Sequence, residues 1–287
     1  MKYLPIFRFS CALLATTLLS SAAWGTCLGD PKASRTFKVS VVPQLPPSVV
    51  YARWAPLLDH LGRQTGQCFE LTVPETIPAF EAQLFKGSPD FAFANPYHAV
   101  MAKRRQGYLP LLIDGRQRLS GLLVVRADSP VRDIRELHGR EVAFPAPNAF
   151  AASLLLRAHL AEQGIRPQPH YVTSHANIYR AVVMGAVVAG GGVNNTLQRE
   201  EPALRANLRV LYETPGYAPH PFLAHARVPA KVREALLAKL LALARDGVGQ
   251  PLLDAVQIPQ PVRADYQRDF APLESLGLDK FVVLDAV

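Results

Sequence analysis

The sequence predicts an α/β protein made of two lobes, each with a Rossmann-like alternation of strands and helices. Three observations support this fold class. The 287 residues are 49% hydrophobic, which is enough for two moderate cores. Short β-branched runs alternate with helical patterns, and the alternation starts a second time near the middle of the chain. Because such strands are joined by crossover helices, ligands are expected at the carboxyl ends of the strands.

The first series of elements is a βαβαβ arrangement followed by two more strands. Its strands are predicted from β-branched and aromatic runs, and its helices from apolar residues at helical spacing. The predicted elements are strand 37–42, helix 52–64, strand 69–73, helix 77–86, and strands 90–94, 109–113 and 122–126.

The second series has the same alternation and ends near Gly216. Its predicted elements are a turn of helix at 134–137, strand 141–144, helix 149–163, strand 170–173 and helix 176–184. A strand at 221–226 then returns to the first lobe, and a helix at 231–245 follows it.

This order implies two crossings between the lobes, near 118–122 and 219–222, which would form a hinge. Residues 26–118 would form the first part of lobe one, and residues 119–220 would form lobe two. Residues 221–287 would complete lobe one and add C-terminal helices.

The N-terminus has the features of a secretory signal peptide. Lys2 and Arg8 precede a short apolar run, residues 11–19, which ends in small residues suited to cleavage. The run is too short to span a bilayer, although an uncleaved anchor is the alternative. Bulky Trp24 before Cys27 argues against lipidation. We therefore predict that residues 1–25 are a cleaved signal and that the mature protein is periplasmic.

Two cysteines, Cys27 and Cys68, would remain after cleavage. In an oxidising compartment this even number makes a disulfide plausible, and the alternative is two separate buried thiols. Neither alternative suggests a redox catalyst, because the chain has no CxxC pair.

Composition and motifs argue against several function classes. Lys and Arg outnumber Asp and Glu by 31 to 23, which suits an anionic ligand. The basic residues are dispersed and lack an aromatic stacking platform, so we expect no nucleic acid. The chain has no GxSxG, GxxxxGK[ST] or HExxH motif, and its histidine pairs lack helical ligand spacing. We therefore expect no enzyme, no cofactor and no metal site.

Three segments run from a strand-like stretch directly into a helix, which is an arrangement that binds anions through backbone N–H groups and the helix dipole. The first has Asn95 as a helix cap before Pro96. A glycine run, residues 190–192, could add backbone amides, or could simply be a turn capped by asparagine. The candidate ligand-binding residues on these segments are Asn95, Asn148, Ala149, Ser174, His175 and Asn194.

Four stretches together resemble the phosphonate-binding family of periplasmic solute-binding proteins. They are PLLDHLGRQTG, DFAFANPYHAV, GLLVVRADSPVRDIRELHGREVAF and SHANIYRAVVMG, and the resemblance runs from about Phe37 to Leu278. It implies a type II two-lobed fold that captures a small tetrahedral oxyanion between its lobes.

The resemblance also assigns roles to particular residues. Tyr51 and Tyr97 resemble the aromatic pair that lines the family's cleft, and His175 matches a histidine at a helix start. Tyr97 as a core aromatic is the alternative. The chain departs from the family at 147–153, which lacks a Ser/Thr-rich turn, and at 185–190, which lacks an acidic residue. The second departure argues against an amine-bearing phosphonate.

The function expected from the sequence is capture of a small oxyanion, such as phosphate, phosphite or phosphonate, for an ABC importer. The alternative is delivery of the same signal to a membrane sensor kinase, since both roles need the same cleft. An enzyme of the same fold would need a catalytic group that the sequence does not offer. We expect the protein to be a monomer.

Overall fold

The computed structural model describes residues 27–116 and 118–283. The predicted signal peptide lies outside these residues. Within them, no helix combines the length and the apolar character needed to cross a bilayer.

The strands, numbered in chain order, agree closely with the predicted ones and add four that were not among them, at 28–29, 189–193, 208–213 and 261–263. They are β1 (Leu28–Gly29), β2 (Thr36–Val41), β3 (Cys68–Thr72), β4 (Phe91–Phe93), β5 (Leu109–Asp114), β6 (Gly121–Arg126), β7 (Glu141–Phe144), β8 (Gln168–Tyr171), β9 (Ala189–Val193), β10 (Leu208–Glu213), β11 (Phe222–Ala224) and β12 (Pro261–Arg263).

The α-helices are α1 (Pro47–Thr65), α2 (Ile77–Phe85), α3 (Pro96–Gln106), α4 (Leu156–Glu162), α5 (His175–Val183), α6 (Asn194–Gln198), α7 (Pro202–Ala206), α8 (Ala230–Leu243), α9 (Gly249–Ala255) and α10 (Tyr266–Asp269). A π-helical turn, Phe150–Leu155, leads directly into α4. Short 3-10 helices occupy Ile134–Leu137, Ala271–Leu276 and Leu278–Phe281.

The strands form two mixed sheets, which confirms the predicted fold class. The first lobe contains the sheet of order β1-β3-β2-β4-β11-β5-β12, and the second contains the sheet of order β10-β6-β9-β7-β8. Parallel pairing, as predicted from the βαβ alternation, is confined to two groups of strands. In the first sheet β2 pairs with β3 and β4, and in the second sheet β7 pairs with β8 and β9. The strands beside the crossings pair antiparallel.

The two segments that join the lobes are hydrogen-bonded to each other. The backbone N–H of Leu119 donates to Tyr217 at 2.8 Å, and the N–H of Tyr217 donates back to Leu119 at 2.9 Å. Arg118 Nε also donates to the Gly216 carbonyl at 2.8 Å. The junction is therefore a short two-stranded ribbon.

Two helix starts differ from the predictions. Helix α1 begins at Pro47 rather than near residue 52, because Pro46 is extended and a proline at the first helical position needs no N–H acceptor. The predicted helix 149–163 begins with the π-helical turn Phe150–Leu155, whose side chains are all buried.

The glycine run in β9 is a packing surface. A Cβ on Gly191 would lie 2.3 Å from the Ala152 carbonyl oxygen and 2.5 Å from Phe144, and one on Gly192 would lie 2.4 Å from the Tyr179 hydroxyl. The run pairs with β6 and β7 inside the sheet. The run is therefore neither a ligand-binding loop nor a turn, the two alternatives that the sequence left open: the missing side chains let the π-helical turn and α5 approach the strand.

Replacing Gly191 with alanine should destabilise the protein by about 1–3 kcal/mol, because the added methyl overpacks a contact made with backbone. Gly247→Ala is the control, since a Cβ there meets nothing within 4 Å and the position has no left-handed φ. Chemical denaturation would measure both. Equal free energies of unfolding for the two variants would contradict this account of β9.

Cys27 and Cys68 form a disulfide, with their Cα atoms 5.4 Å apart. The bond joins the start of the described chain to β3, and β1 pairs with the same strand through Gly29 and Cys68. The predicted bridge is thus confirmed.

Cys68→Ser should lower the free energy of unfolding by on the order of 2–4 kcal/mol, because the bridge closes a loop of 41 residues in the unfolded chain. Cys27→Ser and the double variant should lose the same amount, and added reductant should affect only the parent. A parent protein whose denaturation midpoint ignores reductant would refute the role of the bridge.

Candidate functional site

A cavity of about 380 Å³ lies between the lobes. It is built at the carboxyl ends of the six parallel strands, as the strand pattern predicts. The residues that line it immediately after or at the ends of these strands are Val42–Gln44 after β2, Glu75–Pro78 after β3, Asn95 after β4, Pro145–Pro147 after β7, Thr173–His175 after β8, and Val193 in β9.

Four helix N-termini converge on this cavity, two from each lobe: those of α2, α3, α5 and the π-helical turn that leads into α4. Three of the helices are capped by the side chain of the residue that precedes them. Thr76, Asn95 and Ser174 accept hydrogen bonds from the third helical N–H at 3.2, 2.8 and 3.2 Å. The caps leave the positive ends of the dipoles directed at the cavity.

The fourth N-terminus, at the π-helical turn, has no capping side chain. Ala149 precedes the turn and offers none, and Phe150, Ala151 and Ala152 line the cavity. The first N–H groups of a helix have no acceptor within the helix. This turn therefore presents backbone N–H donors at the place where the chain lacks the Ser/Thr-rich turn expected from the family resemblance.

The approach to α5 is strained. Thr173 has φ 66°, which is rare for a β-branched residue, and the Ser174 N–H donates to the Val172 carbonyl across it at 2.9 Å. This tight turn directs Ser174 to cap α5 and places His175 at the first helical position. Backbone strain of this kind is often found at ligand sites.

Two histidines line the cavity, His175 from the second lobe and His220 from the returning crossing. Burial, together with the charge of nearby Arg199, lowers the pKa of His175 to about 4. Burial also lowers the pKa of His220 to about 3, with contributions from His98, His175 and Arg199. Both rings are therefore neutral at pH 7, and each can offer one N–H donor.

The two rings differ in their partners. His220 Nε2 lies 2.6 Å from the amide nitrogen of Gln44 and its ring stacks on Phe93. The Nδ1 atom of His175 is buried and has no hydrogen-bond partner among the described residues. An unpartnered buried nitrogen is costly, so a ligand that engages it would remove that cost.

A buried polar network supports the cavity from below. The Glu81 carboxylate accepts from His98 Nε2 at 2.8 Å and from Asn148 Nδ2 at 2.7 Å. The Asn95 N–H donates to His98 Nδ1 at 3.4 Å, which leaves the ring proton on Nε2 facing Glu81. The network thus connects α2 and α3 of the first lobe to the loop before the π-helical turn of the second.

The C-terminal segment, Leu278–Val283, contacts both lobes. Asn148 pairs with the Val283 backbone at 2.8 and 3.0 Å, and Arg157 donates to the Phe281 carbonyl at 2.7 Å. On the first lobe, the Tyr97 hydroxyl donates to Asp279 at 2.5 Å. This segment is a third connection between the lobes that the sequence did not indicate.

Four of the eight residues predicted to bind ligand line the cavity: Asn95, Ala149, Ser174 and His175. The structure places the other four elsewhere. Tyr97 faces the C-terminal segment, and Tyr51 is 40% exposed on α1.

The amide groups of Asn148 and Asn194 are engaged in structural contacts. Asn148 is buried and bonded to Glu81 and Val283, while Asn194 donates to the Arg118 carbonyl at 2.8 Å and so holds a crossing. The aromatic pair implied by the resemblance is therefore absent from the lining of this cavity.

Several lining residues were not among those predicted from the sequence, notably Gln44, Thr76, Ile77, Thr173 and His220. A signal for Gln44 and Thr76 was available. Both follow strands whose carboxyl ends were expected at the site, and Thr76 directly precedes a predicted helix with proline at its second position.

The lining described here contains no lysine or arginine. Its one carboxylate is Glu75, which is exposed at the edge. The positive charge of Arg199 lowers the pKa of both histidines. Its guanidinium, however, donates hydrogen bonds to Asn195 and Gln257. Any anion bound here would be held by helix N-termini and neutral donors.

These features define a two-lobed binding protein whose ligand site lies between the lobes. The chain matches the family described as "ABC transporter, phosphonate, periplasmic substrate-binding protein" over residues 39–270, and it belongs to that family. It is accordingly a periplasmic substrate-binding protein of an ABC transporter rather than an enzyme.

Solved structures with low sequence identity share the fold. XAC2383 from Xanthomonas citri, solved bound to ATP, is 19% identical with a TM-score of 0.77, over 87% of this chain and 100% of that one. PhnD1 from Prochlorococcus marinus, in complex with methylphosphonate, is 16% identical with a TM-score of 0.73, over 85% and 98%. The aliphatic sulphonate binding protein SsuA from Escherichia coli is 18% identical with a TM-score of 0.59, over 87% and 92%.

The low pKa values of His175 and His220 predict a pH dependence of stability. Because their folded pKa values, about 4 and about 3, lie below the unfolded value of 6.5, the unfolded chain binds more protons in between. Stability should therefore fall as the pH drops below 6.5 and continue to fall toward pH 4.

Denaturant titrations across this range should show that His175→Gln flattens part of the fall in unfolding free energy. His138→Gln, which changes a histidine outside the cavity, should follow the parent. Parallel curves for all three proteins would show that His175 is not buried as a neutral ring.

Proposed function

We propose that the interlobe cavity captures a small oxyanion, such as phosphate, phosphite, phosphonate or a similar group, for import by the ABC transporter. The observation that carries this proposal is the convergence of four helix N-termini on one cavity. Each helix N-terminus is equivalent to about half a positive charge and offers backbone N–H donors. An oxyanion has acceptor oxygens in several directions, so it can use donors from both lobes at once.

The individual donors support the same choice. The uncapped π-helical turn offers the N–H groups of Phe150–Ala152, and α5 offers those of His175 and Ala176 at its start. His175 Nδ1 also lacks a partner. The solved complex of PhnD1 with methylphosphonate is consistent with this assignment, since that protein shares the fold.

Capture by this fold would involve closure of the lobes about the paired crossings at Leu119 and Tyr217. The lobes so defined are residues 26–118 with 221–287, and residues 119–220. We propose further that residues 1–25 are removed on export and that the mature protein acts as a monomer. Delivery to a sensor kinase would use the same cleft, and the genes beside this one, permease and ATPase or histidine kinase, distinguish the two roles.

A thermal-shift panel of oxyanions tests the proposal, because a ligand at a hundredfold excess over its Kd stabilises the folded state by about 2.7 kcal/mol. For an anion that binds, His175→Ala should weaken the affinity roughly tenfold to a hundredfold in calorimetry. This range corresponds to the loss of one hydrogen bond to a charged group, about 1.5–3 kcal/mol.

Two matched controls separate the site from the scaffold. His138→Ala removes a histidine outside the cavity and should bind like the parent. Tyr97→Phe removes the hydroxyl that donates to Asp279 and should also bind like the parent. A panel without any response would overturn the oxyanion assignment, and a full effect of Tyr97→Phe would place the ligand elsewhere.

A further inference from the structure

The cavity is larger and more apolar than a bare oxyanion requires. Its volume is about 380 Å³, whereas one water molecule in the liquid occupies about 30 Å³. A central atom with four oxygens would fill only part of this space. In the conformation described here, the remainder is filled by another part of the ligand or by water.

Apolar side chains from both lobes face this remaining space. Ile77 and Pro78 contribute from the first lobe, Leu119 from the crossing, and Pro145, Ala146 and Phe150 from the second lobe. Water against such a wall has few polar partners, so an apolar ligand group gains free energy by displacing it. The wall gives no carboxylate beyond exposed Glu75 to pair with an amine.

The charge around the site favours a single negative charge over two. Helix N-termini and two neutral histidines stabilise one anionic charge, but no lysine or arginine in the described lining compensates a second. The buried carboxylate of Glu81 lies beneath the cavity through its bonds to His98 and Asn148, and Glu75 lies at the edge. Both carboxylates would repel an added charge.

We propose that the ligand is a monoanionic organic oxyanion that carries an apolar group of several carbons, with its oxyanion at the helix N-termini and its apolar group against the wall around Ile77 and Phe150. This inference rests on the proposed function, because it assumes an oxyanion in the same cavity. It adds that the ligand carries a single negative charge and that its remaining part is apolar.

Calorimetry with the purified exported protein and five anions tests the proposal: phosphate, methylsulfonate, n-butylsulfonate, methylphosphonate and n-butylphosphonate. Each methylene buried against the wall should tighten binding about fourfold, the equivalent of about 0.8 kcal/mol. The step from methyl to n-butyl should therefore lower Kd by tens of fold in both series.

The charge state is tested by comparing the two n-butyl ligands above and below the second pKa of the phosphonate. The sulfonate is a monoanion at both pH values, so its affinity reports any titration of His175, His220, His98, Glu81 or Glu75, or any effect of Arg199. Relative to the sulfonate, the phosphonate should lose at least tenfold in affinity when it becomes a dianion.

A matched pair of variants locates the apolar group. Ile77→Thr should remove most of the gain from methyl to n-butyl, with both affinities measured on the same variant. Ile134→Thr is the control, because Ile134 is also half-buried and also follows a helix-capping side chain, but lies outside the cavity. It should retain the full gain.

The outcomes distinguish this inference from the function on which it rests. If none of the five anions binds, the oxyanion function itself fails. If they bind but phosphate or a methyl ligand is as tight as its n-butyl counterpart, or the dianion is as tight as the monoanion, the ligand class proposed here is overturned. An undiminished n-butyl gain in Ile77→Thr would overturn the placement of the apolar group.

Discussion

The carboxylate of Glu81 is the single group on which the construction of the cavity depends most. It is buried, and a buried charge is tolerated only where hydrogen bonds satisfy its oxygens. Here one oxygen accepts from His98 and the other from Asn148. These two bonds fix the start of α3 and the loop before the π-helical turn relative to α2. The relative positions of three helix N-termini thus follow from the solvation of one carboxylate.

The same network explains why several polar side chains near the site are unavailable to a ligand. Asn148 has its amide fully engaged by Glu81 and Val283, and Asn95 uses its carbonyl oxygen to cap α3. Side chains position the helices, while backbone groups and the two histidines remain to bind. The groups that hold the helices in place are therefore different from the groups that remain free to bind a ligand.

How much was predictable from sequence depended on the range of each interaction. The helix cap Asn95 could be predicted because its partner is three residues away. The positions of the lining loops followed from strand direction. The true partner of Tyr97 could not be predicted, because Asp279 is 182 residues further along the chain and the 3-10 helix that carries it has no distinctive pattern. The packing role of the glycine run was also hidden, because glycine is equally suited to a ligand loop and to close contact between elements.

The uncapped π-helical turn has a consequence for how such a protein can change over generations. Its donors at Phe150–Ala152 belong to the main chain, so every substitution except proline keeps them. Residues of the wall, by contrast, contribute only shape and apolar surface and can be exchanged one at a time. Single replacements in the wall can therefore change the ligand specificity of this cavity, and each intermediate protein still binds the charged group.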